Sequence, residues 1–117
     1  MKRRGNYALL ALPILAGIFI AASPQNLCGE SFCLPSDAKL ISRESPVEDF
    51  NLYRVQWRSN RFMIYEGNYP QRRSASVVIK TRKTWPAFIE VSSQCGSGRD
   101  CGATALAAML TLRSSSR

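Results

Sequence analysis

Four cysteines, a short run of arginines and a glycine-rich loop carry most of the chemistry open to this chain. Cys28, Cys33, Cys95 and Cys101 form an even set in a 117-residue chain, which in an exported protein reads as a disulfide framework. Three connectivities exist for four cysteines. Pairing Cys28 with Cys33 and Cys95 with Cys101 closes two small loops, worth roughly 2 kcal/mol each, whereas crossed pairing ties distant segments for roughly 4 kcal/mol each. The flexible Gly96-Ser97-Gly98 stretch lets Cys101 return to Cys95, so the local pairing is preferred. A four-cysteine zinc site is the rival. Its usual knuckle separates ligands by two residues, and here four and five intervene. Neither pair is Cys-x-x-Cys, so a thioredoxin-type redox function is disfavoured too.

Two groups of residues are candidate binding sites. In Cys95-Gly-Ser-Gly-Arg-Asp-Cys101, Gly96, Gly98 and Arg99 could present backbone N–H groups and a cation to an anion. The plainer reading is a disulfide-closed turn with Arg99 in solvent. The second group is Arg54, Arg58, Arg61 and Tyr65, basic residues interleaved with an aromatic, a composition that suits acidic partners or polymers.

Other chemistries are excluded or unsupported. The chain has no histidine, which removes Ser–His and Cys–His nucleophile pairs and histidine metal sites. No phosphate loop or dinucleotide fingerprint occurs. The acidic group Glu44, Glu48 and Asp49 reads as a solvated turn rather than an acid–base pair. The expectation is a non-catalytic protein with neither cofactor nor metal.

These residues need elements to hold them. Phe50 to Glu66 reads as a hairpin turning at Ser59-Asn60, with Trp57 opposite Phe62, Val55 opposite Ile64 and Arg58 opposite Arg61. Alternation gathers Val55, Trp57, Phe62 and Ile64 on one face and the arginines with Met63 and Tyr65 on the other. Ser74 to Thr81 reads as a third strand, inward through Val77 and Ile79. Ala87 to Ser92 reads as a fourth, inward through Ala87, Ile89 and Val91, because facing Phe88 inward would bury Glu90 as well. Ala38 to Arg43 could add a short edge strand with Leu40 inward. The last stretch switches to helical spacing at Leu106, Met109 and Leu110. Asp100 or Thr104 can cap this helix, Arg113 can complement its end, and Met109 is expected in the core. The fold expected is α+β: one antiparallel sheet of about four strands, a C-terminal helix on one face, and disulfide staples.

The segments divide as 1–22, a signal peptide or membrane anchor; 23–49, an extended arm containing Pro24, Pro35 and Pro46; 50–112, the globular domain; and 113–117, a polar tail. Lys2, Arg3 and Arg4 precede an unbroken apolar run from Tyr7 to Ala22, the layout of a secretory signal. Cleavage after Ala22 puts Ile20 where a small residue is preferred, and cleavage after Ser23 leaves Pro24 beyond the bond. An uncleaved anchor, touching the membrane through residues 7–22, is therefore the alternative. Either way the remainder is exported, to a periplasm, to the exterior, or tethered outside the cytoplasm. The formal charge is +8; without the three leading cations, thirteen basic residues face eight acidic ones, a net of about +5. That suits an anionic surface and falls short of a dedicated nucleic-acid binder. The functional expectation is an exported interaction module acting on an envelope protein, with a polyanion- or membrane-surface-binding protein and a small enzyme or toxin-like protein as alternatives.

Overall fold

The computed structural model describes residues 27–96 and 98–113; the leader read over residues 1–22 lies outside them. The chain runs β1 (Phe32–Cys33), β2 (Lys39–Val47), β3 (Phe50–Trp57), β4 (Asn60–Gly67), β5 (Val77–Lys80), β6 (Phe88–Ser93), α1 (Ala103–Met109) and β7 (Thr111–Leu112). An antiparallel sheet of order β2-β3-β4-β6-β5 forms the body, and β1 pairs with β7 apart from it. The main sheet thus has five strands rather than four. The addition is the edge strand β2, longer than its sequence pattern implies, because register shifts at Leu40/Ser42 and Glu44/Val47 let it follow β3 despite Pro46.

The central hairpin forms with its faces as expected and its register displaced by two. Trp57 pairs with Asn60, Val55 with Phe62 and Tyr53 with Ile64. The turn is Arg58-Ser59, both at positive φ (52° and 71°), the backbone that matches the twist of paired strands. A two-residue slip preserves every side chain's face, so alternation alone cannot detect it. Its consequence is local: Arg61 opposes Gln56, Arg54 opposes Met63, and the expected juxtaposition of Arg58 with Arg61 does not occur.

The core lies on one side of the sheet. Val55, Trp57, Phe62, Ile64, Ile89 and Val91 are buried there, the first four as alternation requires. Two segments cover them. Helix α1 packs on β5 and β6 and buries Ala103, Leu106 and Leu110. Met109 is 47% exposed, contrary to expectation. On this two-turn helix the positions three, four and seven beyond Ala103 face the sheet, and Met109 lies about 110° from that stripe. The other cover is the segment before β2. Phe32 and Leu34 are buried in the core, with the Phe32 ring edge-on to Tyr53 at 5.2 Å. Part of the segment read as an extended arm is therefore a lid on the sheet.

Disulfides and backbone bonds pin both covers. Cys28–Cys33 and Cys95–Cys101 are bonded, and no cysteine is free. Gly102 holds the N-cap position of α1, and Asp100, two residues ahead of it, accepts from the Thr104 N–H at 3.2 Å and hydroxyl at 2.6 Å. Arg113 takes no part at the helix end. Its guanidinium donates to the Gly29 carbonyl at 2.8 Å and its N–H to the Ser31 carbonyl at 2.8 Å, holding the lid down. Two disulfides fit an oxidising environment. Among the described residues no helix is long and apolar enough to cross a membrane.

Candidate functional site

The face of the sheet away from the core carries Leu52, Arg54, Met63, Tyr65, Glu90 and Ser92, since Tyr65 pairs with Glu90 and Met63 with Ser92. This is where a cleft forms, and Glu90 anchors its frame. Among the described residues no helix covers its side of the sheet, yet Glu90 is only 4% exposed because the loop between β4 and β5 folds over it. Its carboxylate accepts from the Gln71 N–H at 2.7 Å, the Arg73 N–H at 2.9 Å and the Ser76 hydroxyl at 2.7 Å. Burial pushes this carboxyl's pKa up; the Ser76 hydroxyl and the loop N–H groups more than offset it and hold the pKa below its ordinary value. Ala75, at φ 64°, turns the chain back so that Val77 can begin β5, which explains why the strand starts later than its composition implies. Of the expected inward set, Ile89 and Val91 face the core while Ala87 precedes β6 and lies outside it, and Glu90 is buried all the same, on the opposite face.

The loop does not close onto the sheet. Between them lies a cleft of about 390 Å³ with Phe50, Leu52, Met63 and Tyr65 along its apolar side, Tyr69 and Arg73 at its rim, and Glu90 beneath. Phe50 packs against Tyr65 with ring centroids 5.6 Å apart, and the Tyr65 hydroxyl accepts the Tyr69 N–H at 2.8 Å. Tyr69 itself is 80% exposed. A second hollow of about 370 Å³ adjoins the first, lined by Ser74, Ser93, Gln94, Gly96, Gly98 and Arg99 and sharing Arg73 and Ser92 with it. Gly98, at φ 71°, faces the Ser74 hydroxyl, so the disulfide-closed loop and the Glu90-anchored loop meet there.

The residues singled out in the sequence separate into two sets. Tyr65 lines the cleft, and Gly96, Gly98 and Arg99 line the adjoining hollow. Arg54 and Arg58 are engaged elsewhere: Arg54 lies 3.8 Å from Glu44 and Arg58 3.8 Å from Asp37, with the Arg58 guanidinium 4.1 Å over the Trp57 ring. Arg61 is exposed on β4. Among the described residues Arg61, Arg73 and Arg99 lack any ion pair, for the pairs present involve Arg43, Arg54 and Arg58. All three of these unpaired arginines follow the hairpin turn in the chain.

A second buried carboxylate, Glu66, lies on the core face and builds no cleft. It is fully buried and accepts from the Ser31 N–H and hydroxyl at 2.7 and 2.6 Å, from Tyr53 at 2.7 Å and from Asn51 at 3.0 Å. Burial raises its pKa, and these donors, led by Ser31, overcome that and hold the carboxyl low. Burial, then the bond to Glu66, pushes the Tyr53 phenol up. Neither carboxylate stood out in the sequence, because their donors lie at distant positions. Among the described residues no three histidine, cysteine, aspartate or glutamate side chains converge as a metal-holding group. Comparison with protein-family models, with curated proteins and with solved structures gives no match.

Proposed function

We propose that this protein is an exported, non-catalytic interaction module that binds a protein partner at the cell envelope through the outer cleft. One observation carries the reading: an apolar bay of Phe50, Leu52, Met63 and Tyr65 stays open on the sheet face opposite the core, beneath a loop held by Glu90. A preformed concave site with an apolar wall and a few polar groups is the usual form of a binding site. The cationic start and apolar run of residues 2–22 and the two disulfides support placement outside the cytoplasm, cleaved or tethered.

A photoreactive phenylalanine analogue replacing Tyr69, in cells making the full chain, should crosslink one envelope protein. Met63→Glu should abolish the product by charging the bay. The same probe at exposed Thr104, on the core-side helix, should give none. Equal products at both positions, or a product indifferent to Met63→Glu, would reject the cleft as the contact. A second reading, binding to an anionic polymer or surface, is favoured by the unpaired Arg61, Arg73 and Arg99. It requires an association that salt weakens steeply and that Met63→Glu leaves intact.

A further inference from the structure

The apolar cleft and the polar hollow form one groove, since Arg73 and Ser92 line both. Its floor follows β6: Glu90, Ser92 and Gln94 succeed one another on the same face, with the Gln94 N–H donating to the Arg61 carbonyl at 2.9 Å. Same-face positions on a strand are about 7 Å apart, so the groove is about 14 Å long, the reach of about four extended residues. Its ends differ in charge. Asp49 borders the apolar end, Arg73 stands where the two parts join and Arg99 borders the far end, neither arginine ion-paired among the described residues.

Among the described residues no carboxylate forms an ion pair with these arginines. Glu90 already accepts three hydrogen bonds from its own loop. The hydroxyls of Ser74 and Ser92 and the Gln94 amide stand beside the arginines as neutral donors. We infer that this groove binds an extended acidic segment of a partner protein, with an apolar side chain between Phe50, Met63 and Tyr65 and a carboxylate two to four residues away on Arg73 and Arg99. The inference rests on the reading of the cleft as the protein's contact site and adds the partner's chemistry and its direction. Asp49 repels the acidic end of a reversed segment, so the charges set the polarity of binding. A sulfated or phosphorylated polymer has the charge and lacks a side chain for the bay. A bilayer surface presents headgroups and cannot enter a cleft beneath a loop.

Panning the oxidised protein against displayed random twelve-residue peptides tests this. Enriched sequences should carry an aromatic or aliphatic residue followed or preceded, always in one order, by Asp or Glu two to four positions off. Changing that acid to its amide in the best peptide should weaken binding at least tenfold at low salt. Arg73→Glu with Arg99→Glu, both at exposed sites, should switch the selected residue to Lys or Arg. Apolar peptides without an acid, bound equally by the charge-reversed variant, would overturn the inference and leave the cleft reading standing. Absence of any enriched peptide would overturn both. Heparin or anionic vesicles bound through Arg73 and Arg99, with no peptide selected, would reassign the groove to a polyanion.

Discussion

Glu66 and Glu90 occupy neighbouring rows of the sheet and do the same physical job with opposite results. Each is a buried carboxylate that draws an irregular segment onto a β-sheet by accepting its N–H and hydroxyl groups. Glu66 holds Ser31, and the segment it holds brings Phe32 and Leu34 into the core. Glu90 holds Gln71, Arg73 and Ser76, and that loop brings no large apolar side chain to the face beneath it. The first side is sealed and the second stays open. What distinguishes a sealed clamp from the frame of an open cleft here is the side chains adjoining the anchored backbone, rather than the anchor itself.

The comparison can be broken most easily at the plug. Phe32→Ala removes a fully buried ring and should destabilise the protein by about 4 kcal/mol in chemical denaturation; a loss below about 1 kcal/mol would mean that the lid does not seal the core. Glu66→Gln places an amide donor among groups that already donate, and should cost about 3 kcal/mol. Both carboxyls titrate lower folded than unfolded. Their stabilisation is therefore complete above the unfolded value of about 4.3 and fades as the pH falls through the folded values. Denaturation midpoints measured from pH 7 to pH 3 should fall in the parent and fall less in Glu66→Gln.

Glu90→Gln should cost less, about 1 kcal/mol, because its donors lie at the surface and water can replace the lost acceptor. Its signature is elsewhere: amide exchange should quicken at residues 71–76 while the core amides keep their protection. Uniform acceleration over the whole sheet would show that the two anchors are equivalent. Smallest of all is the effect of removing Arg54 and Arg58. Their exposed ion pairs and the contact with Trp57 should together contribute no more than about 1 kcal/mol, and peptide binding in the groove should be unchanged.

The comparison also explains what could be read from the sequence. The inward set Val55, Trp57, Phe62 and Ile64 was legible because alternation on a half-buried strand is a strong local signal. The disulfide pairing followed from short spacing and glycine. The hairpin register was not legible, since a shift by two leaves every face as it was, and only the φ > 0 turn at Arg58-Ser59 distinguishes the two. Which arginines are ion-paired was not legible either. Arg54 and Arg58 look cationic in sequence and are neutralised by Glu44 and Asp37 in space. Burial of Glu66 by Ser31, 35 positions away, leaves no trace in any window of the chain. Met109 shows the converse error, an apolar residue at plausible spacing that a two-turn helix turns outward.

One small pairing sets the order in which this molecule can be finished. Phe32 lies opposite Leu112 in the β1–β7 ladder, so two strands of two residues each join the segment before the sheet to the one after the helix. Glu66 and Tyr53 hold the lid from within the sheet, and its remaining fasteners, the Leu112 backbone and the Arg113 guanidinium, come from beyond the helix. Closing so long a loop is slow compared with forming the hairpins. A chain halted before Thr111 would keep its sheet and lose this latch.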